Sequence, residues 1–298
     1  MKRWYSHGFH TTLAHRIVFA IIPRLPQSAH PPIAVVTAAI FFLLLGRERR
    51  AVAGNLRRIA RLRGPRLWWN VGRVFYSFCD LIVSYCYVPR ADFEGLLGML
   101  RGGEGGLRKI DECLAAGRGV IVWTAHLGNW EFASRLLEMH GRTVHIARLV
   151  ENNPAEIMLR DMMVNQRLKI VDLGRGAAAS LDLVHALRRN EIVAIQGDRV
   201  YQRLTAELPF FGEPTLFPMG PFLLSQVSGA PVLPGFVLRH GWLRYRVAMG
   251  DPIWPVEGGV EGQEGCLRQA VGFLESTLET DYDQWLNFYS FWPAVPHE

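Results

Sequence analysis

Two residues with acid–base side chains, His126 and Glu131, stand five positions apart in the stretch VIVWTAHLGNWEFASRLL. The apolar run before His126 predicts a buried strand. The residues after Gly128 predict a helix, with Asn129 as its N-cap. Ligands of α/β folds bind at the carboxyl ends of strands. The pattern therefore predicts a site where a histidine and a carboxylate meet beside a helix N-terminus.

The chemistry available to such a pair is general base catalysis. A carboxylate that accepts a hydrogen bond from one imidazole nitrogen fixes the tautomer and leaves the other nitrogen ready to take a proton. A positioned base contributes roughly 10²–10⁴-fold to a rate, and the helix N-terminus and turn amides could stabilise an oxyanion. The ordinary alternatives are a structural histidine and a glutamate that complements the helix dipole. The residues alone leave both interpretations open.

Metal and serine-nucleophile chemistry have little support in the sequence. The His126–Glu131 spacing is not that of an HExxH motif, no cluster of histidines and carboxylates completes a ligand set, and no G-x-S-x-G is present. We therefore expect neither a metal nor a cofactor. The four cysteines form no CxxC pair, and we expect reduced thiols.

A second polar pair, Asp198 and Arg199, follows the apolar run IVAIQG and so stands at another predicted strand end. One interpretation is a binding or positioning pair at the same mouth as His126. The other is a local ion pair that closes a turn, which contributes about 0–1 kcal/mol when exposed.

The elements that must position these residues alternate between strand-like and helix-like runs from Gly119 onward. The strand-like runs are GVIVWTA, TVHIA, LKIVDL, IVAIQGD, APVLPGFVL and GWLRYRVAMG. Continuous apolar strands of this kind predict an α/β fold with a mixed, mostly parallel, seven-strand-like sheet flanked by helices. We expect one main domain, residues 64–298, and an N-terminal appendage, residues 1–63.

The appendage is first apolar and then basic: RIVFAIIPRL and IAVVTAAIFFLLL precede GRERRAVAGNLRRIARLR. The second apolar run is shorter than the roughly 20 residues that span a bilayer. This order is typical of membrane-associating helices that dip into the cytoplasmic leaflet, with arginines at the headgroups. The alternative is a buried helix pair followed by a solvated basic helix.

The charge of the chain points to acidic partners. Its net charge is +6 and its pI about 9.4, which suits an anionic membrane or an acidic carrier protein. No zinc-finger spacing and no basic recognition helix are present, so we expect no nucleic-acid partner.

HLGNWE, with its H-x-x-x-x-E spacing, resembles the catalytic motif of the lysophospholipid acyltransferase superfamily. It resembles more closely that of the late acyltransferases of lipid A biosynthesis (lauroyl and myristoyl transferases) and of their relatives that acylate mannosylated phosphoinositides. Further stretches match in order: RERRAVAGNL, ENNPAE, IVAIQGDRV and LPFFGEPTLFPMGPFLLSQVSGAPVLPGFVLR. Met219 stands where glycerol-phosphate acyltransferases carry a glutamate. In this respect the chain is similar to the lipid A branch, whose equivalent residue is also non-acidic.

The resemblance implies a glycerolipid acyltransferase-like fold. It also implies O-acyl transfer from an acyl carrier protein or coenzyme A thioester to a hydroxyl of a membrane lipid, first of all a lipid A precursor, at the cytoplasmic face of the bacterial inner membrane. His126 would be the base and Glu131 would orient it, without an acyl-enzyme. The residues expected to bind substrate are Asn129, Arg148, Asp198 and Arg199.

Two alternatives remain. The acceptor would be another lipid (a lysophospholipid, phosphoinositide mannoside, amino-acid lipid or pigment lipid), or the protein would be a non-catalytic, membrane-bound lipid carrier. The intact His126–Glu131 pair argues against a carrier. Acyl-chain length would depend on where a hydrophobic tunnel ends, and the aromatic candidates for that position are Trp68, Trp69, Phe75 and Trp123.

Overall fold

The computed structural model describes residues 22–88, 91–150, 165–201 and 204–292. Its helices are α1 (His30–Leu44), α2 (Gly46–Ile59), α3 (Gly64–Ser84), α4 (Phe93–Met99), α5 (Glu104–Ala115), α6 (Trp130–Leu137), α7 (Ala177–Arg188), α8 (Gly220–Ser228) and α9 (Gly259–Asp281). Its strands are β1 (Val120–Thr124), β2 (Val144–Arg148), β3 (Leu168–Asp172), β4 (Ile192–Gln196), β5 (Thr205–Phe210), β6 (Glu213–Pro218), β7 (Val232–Gly241) and β8 (Arg244–Met249). The segment ENNPAE and most of RIVFAIIPRL lie outside the described residues.

One sheet organises the described fold, with the strand order β3-β2-β4-β1-β7-β8. Its strands run parallel except for β8, which is antiparallel to β7 at one edge. The predicted mixed, mostly parallel sheet flanked by helices is thus confirmed. The sheet has six strands instead of about seven, one for each of the six strand-like runs. Two further strands, β5 and β6, which the sequence analysis did not predict, pair with each other around a turn at Phe211 and Gly212 whose φ angles are both positive.

The central strands are apolar along their whole length because both faces of the sheet are covered. Every residue of β1 is buried. Ile121 and Trp123 pack in a cluster with residues of α7, α8 and α9, whereas Val122 packs with residues of α5 and α6. This double burial is the physical reason why strands of parallel sheets read as continuous hydrophobic runs.

The N-terminal helices pack against α3. Ala34 and Ala38 of α1 and Leu56 of α2 share a hydrophobic cluster with Val71 and Phe75 of α3. In the described part of the chain, no single helix has the length and composition to cross a membrane, while α1 and α2, bent by 98° at their junction, meet that test only as a pair. The division at residues 63/64 stays a prediction, and the cluster continues across it.

Candidate active site

His126 lies in the connection between β1 and α6, as the sequence predicts. Gly128 adopts a φ of +69°, and a Cβ at this position would collide with the carbonyl oxygen of Val237, so only glycine fits the turn. The side chain of Asn129 caps α6, because its Oδ1 accepts a hydrogen bond from the Phe132 amide at 2.9 Å. The predicted strand, turn and capped helix are therefore confirmed.

The carboxylate that binds His126 is Asp198. His126 Nδ1 lies 2.7 Å from Asp198 Oδ1, and the His126 amide donates to Asp198 Oδ2 at 3.1 Å. The register of the sheet explains this contact: Thr124 of β1 is paired with Gln196 of β4, and two residues further along each strand stand His126 and Asp198. An ionised aspartate only accepts hydrogen bonds, so Nδ1 carries the proton.

Two further donors hold Asp198 from the segment that follows α9. Trp285 Nε1 and Asn287 Nδ2 both donate to Asp198 Oδ2, at 3.0 and 3.2 Å. Burial alone would raise the pKa of Asp198, but His126, Arg199 and the Trp285 hydrogen bond outweigh burial and lower this pKa below its usual range. Asp198 is therefore a fixed anion with 1% of its surface exposed.

Arg199 binds the same C-terminal segment from another side. Its Nε donates to Asn287 Oδ1 at 2.8 Å, its Nη2 donates to the Leu286 carbonyl at 3.0 Å, and its guanidinium lies over the Tyr289 ring. This geometry fits the positioning interpretation of the Asp198–Arg199 pair better than a local ion pair that closes a turn.

The environment of His126 keeps its ring neutral. Burial and, to a smaller extent, the charge of Arg199 lower the pKa of His126 to about 4, although Asp198 opposes this shift. The ring packs against Trp130, with the centroids 5.6 Å apart. Among the described residues no side chain or backbone group is hydrogen-bonded to Nε2. At neutral pH the structure therefore presents an unprotonated Nε2, as a general base requires.

Glu131 makes no hydrogen bond to His126 in the described structure, so the prediction that it orients His126 gains no support from the geometry. In the first turn of α6 its side chain lies against α3, where Oε1 accepts a hydrogen bond from the Tyr85 hydroxyl at 2.7 Å. Burial raises the pKa of Glu131, and Tyr85, Arg148 and Trp130 offset part of the rise. Spacing along the chain brought Glu131 near His126, but the neighbouring strand supplied the carboxylate that binds it.

An apolar cavity of about 90 Å³ lies between α6 and the sheet, and Trp130, which packs on the His126 ring, is part of its lining. Its inner walls include Leu107, Val122, Leu137, Ile146, Ala194, Gly235, Val247 and Met249. Polar side chains and one indole border it where the strands end and α6 begins: Thr124, Trp130, Glu131, Arg148 and Gln196. The aromatic candidates for the end of a tunnel (Trp68, Trp69, Phe75 and Trp123) do not line this cavity.

The predicted substrate-binding residues therefore separate into two groups. Arg148 borders the cavity beside Glu131, whereas Asp198 and Arg199 bind other residues of the protein. The Asn129 side chain is occupied by the Phe132 amide and by Ser84 Oγ, to which its Nδ2 donates at 2.9 Å. Substrate binding by Asn129 gains no support from these contacts.

The turn amides expected to stabilise an oxyanion are already used. The amide of His126 donates to Asp198, that of Gly128 to the Gln284 carbonyl, and that of Asn129 to the Val237 carbonyl. The acceptors of these three amides lie after β4, after α9 and in β7, respectively, so packing of the turn against all three parts occupies the donors. The oxyanion role predicted for the turn thus has no free donor at these three positions.

Three residues that the sequence analysis missed complete the site: Tyr85, Trp285 and Asn287. Trp285 and Asn287 belong to the run DYDQWLNFYSFW, where polar residues interleaved with aromatic ones are unusual for a simple tail and could have drawn attention. Tyr85 had no comparable signal. In the described ranges, no three histidine, cysteine or acidic side chains are grouped so that they could hold a metal ion.

The sequence of this chain is similar to those of known acyltransferases. Phosphatidylinositol mannoside acyltransferases of Mycobacterium tuberculosis, represented by two strains, are 30% identical to this chain over 169 residues, which is 56% of this chain and 52% of the relative. That of Mycolicibacterium smegmatis is 28% identical over 162 residues, 53% of this chain and 51% of the relative. The chain spans about half the length of the curated relatives it matches.

The family match is longer than these pairwise matches. The model of the bacterial lipid A biosynthesis acyltransferases covers residues 80–292, a range that contains His126, Asp198 and the C-terminal segment that binds them. This range is well over half of the 298 residues. The chain belongs to the bacterial lipid A biosynthesis acyltransferase family.

Proposed function

We propose that this protein is an O-acyltransferase that moves a fatty acyl chain from a thioester to a hydroxyl of a glycosylated membrane lipid. The observation that carries the proposal is the neutral His126, which is held by Asp198 and packs against Trp130, a residue that also lines an apolar cavity. Membership of the family supports the same reaction.

In the proposed reaction His126 Nε2 takes the proton of the acceptor hydroxyl while the hydroxyl oxygen attacks the thioester carbonyl. Asp198 stabilises the imidazolium that forms, and its hydrogen bond keeps the ring in the required tautomer. The tetrahedral intermediate then expels the thiolate, which receives the proton from His126. One ester bond forms, one thioester bond breaks, and no acyl-enzyme arises.

The acyl chain is proposed to occupy the apolar cavity. Its aliphatic lining suits a hydrocarbon, and each buried methylene contributes about 0.8 kcal/mol. The mouth would then hold the thioester near Trp130 and His126. Glu131 and Arg148, which border the cavity at the same end, are the charged groups that polar parts of a substrate would meet there.

The acceptor is proposed to be a mannosylated phosphoinositide in preference to a lipid A precursor. The resemblance made lipid A the first expectation, but the relatives that match carry the name phosphatidylinositol mannoside acyltransferase. The basic chain, with a net charge of +6, suits either anionic lipid.

The donor is proposed to be an acyl carrier protein, with coenzyme A as the alternative. Seven arginines lie between residues 47 and 63, and complementary charge raises the rate at which an acidic protein is encountered. The alternative is that anionic lipid headgroups occupy the same arginines and that the donor binds elsewhere.

Membrane docking at the cytoplasmic face of the inner membrane is proposed for the outer face of α1 and the start of α3. Leu43, Leu44 and Trp69 are 71%, 72% and 73% exposed although they are large and apolar, and the arginines of α2 follow directly. Replacing any of the three by glutamate should lower partition onto anionic vesicles by about tenfold. Leu181→Glu on α7, also at an exposed leucine, is the control. Equal partition of all four variants would contradict this docking face.

The central test of the function is His126→Ala. Acyl release from a labelled carrier thioester should require a phosphoinositide mannoside acceptor, and His126→Ala should lower transfer by roughly 10²–10⁴-fold with the fold intact. Near-wild-type transfer by His126→Ala would rule out the base role. Binding of acyl chains with no transfer to any acceptor would favour the non-catalytic carrier.

A further inference from the structure

The segment that follows α9, residues 285–291, crosses directly behind the His126–Asp198 pair, and we call it the C-terminal strap. Trp285 and Asn287 donate to Asp198 Oδ2, and the Leu286 amide donates to the His126 carbonyl at 2.8 Å. The strap therefore contacts both members of the pair. From Leu286 to Phe291 the strap is neither helix nor strand. Its position must therefore be fixed by hydrogen bonds and packing contacts with other parts of the protein.

One buried side chain of α2 binds the strap at three points. Asn55 Nδ2 donates to the carbonyls of Asn287 at 3.1 Å and Tyr289 at 2.9 Å, and Asn55 Oδ1 accepts from the Phe291 amide at 3.1 Å. Asn55 is 4% exposed. A short path of hydrogen bonds thus leads from α2 through Asn287 to Asp198 and His126.

The helix itself gives no reason for an asparagine at this position. Asparagine is a poorer helix former than alanine or leucine, and a buried amide is costly unless it is hydrogen-bonded. The remainder of the buried face of α2 is apolar, with Val52, Leu56 and Ile59. The three hydrogen bonds to the strap are the compensation that the structure shows.

We propose that Asn55 is a positioning residue, which holds the C-terminal strap so that Trp285 and Asn287 keep Asp198, and through it His126, in the reactive arrangement. This inference rests on the proposed function of His126. It also links the active site to α2, one half of the bent helix pair, although α2 itself contributes no group to the reacting atoms.

The test follows the titration of His126 by NMR in protein with labelled histidines. The charged groups that face the His126 ring are Asp198 and Arg199, and Trp130 packs on the ring. When the strap loosens, water reaches this buried site, so the pKa of His126 should move from about 4 upward toward the ordinary 6.5. We expect this shift in Asn55→Ala and in Asn55→Leu, which keeps the number and branching of the side-chain heavy atoms but removes the hydrogen bonds. Their kcat should fall about tenfold at pH 7.

Asn70→Ala is the matched control. Asn70 is an equally buried asparagine of α3 whose Nδ2 bonds only within its helix, to the Arg66 carbonyl, and its variant should leave the His126 titration unchanged. Melting temperatures identify any variant that merely unfolds. A wild-type His126 titration in both Asn55 variants would overturn the inference. Failure of the proposed function is a separate result, since it would appear as wild-type transfer by His126→Ala.

Discussion

The two sides of His126 differ in the environment that each provides for a buried carboxylate. On the strap side, Asp198 accepts hydrogen bonds from the His126 ring, the His126 amide, Trp285 and Asn287, and its pKa is lowered. On the cavity side, Glu131 accepts one from Tyr85, its Oε2 makes no hydrogen bond of good geometry with the described residues, and burial raises its pKa.

This difference in hydrogen bonding and burial gives the two carboxylates of one site different charge preferences, which suit different roles. Donors stabilise the charged form of Asp198, which can then stabilise a positive ring. Apolar walls disfavour the charged form of Glu131 and leave it suited to polar contacts at the cavity mouth. Environment, and not distance along the chain from His126, assigns the roles.

The largest expected effect tests this division directly. Asp198→Asn should lower transfer by roughly 10²–10⁴-fold, because the anion that stabilises the imidazolium is lost. Glu131→Gln should lower transfer by only about 10–100-fold, the range for one buried, charge-assisted hydrogen bond. Combined with His126→Ala, Asp198→Asn should add little further loss, as expected of residues that act as a unit. If Glu131→Gln proves the more damaging of the two single variants, the assignment is reversed.

The pH dependence of kcat/KM tests the surroundings of His126 through effects of intermediate size. In the proposed mechanism the neutral form of His126 is the active one, so kcat/KM should fall as the pH drops through about 4. Arg199 lowers this pKa, so Arg199→Gln should move the acid limb of the pH–rate profile up toward about 6.5. Beyond any pH-independent loss from the strap contacts of Arg199, the rate at pH 5 relative to that at pH 8 should then fall by at most roughly thirtyfold. Asp198 raises the pKa of His126, so Asp198→Asn should move the limb down. Limbs that shift in the same direction would contradict the geometry.

Stability should follow the same titration. The unfolded chain binds a proton at His126 below about pH 6.5, whereas the folded chain does so only below about 4. The contribution of this group to folding is therefore complete above pH 6.5 and declines as the pH falls to 4, by at most about 1.4 kcal/mol per pH unit. Denaturant unfolding of wild type against His126→Ala across this window measures it.

The smallest expected effect concerns the inner end of the cavity. Gly235 of β7 is paired with Met249 of β8, and a Cβ at Gly235 would lie 2.5 Å from Met249 Sδ, so Gly235→Ala should push this flexible side chain into the cavity. Gly235→Ala should then favour shorter acyl chains and Met249→Ala longer ones. The change in kcat/KM should be about fourfold per methylene. A common change for all chain lengths would show that the chain binds elsewhere.

Local patterns predicted much of the frame that surrounds the site. The apolar run before His126, the turn at Gly128 and the cap at Asn129 followed from strand periodicity, glycine conformation and capping chemistry, which depend on near neighbours in the chain. The β5–β6 hairpin was not predicted, because its residues, Thr205–Pro218, carry no continuous apolar run of the kind that marked the strands of the main sheet. For α1 and α2 the sequence allowed two interpretations, a buried helix pair and a membrane-associating one. The inner face of these helices is packed, as the first requires, and the outer face is exposed, as the second requires.

The sequence by itself determined which groups are available at the end of β1: a histidine, a glycine turn and a helix cap. It could not determine the partner of the histidine, because β4 lies next to β1 only in the folded sheet, and Thr124 opposite Gln196 is a consequence of strand order. The same holds for Trp285, Asn287 and Asn55, which approach Asp198 from parts of the chain that only tertiary packing brings together. Hydrogen bonds between distant segments leave no periodicity in the sequence, so the structure alone assigned Asp198 to His126.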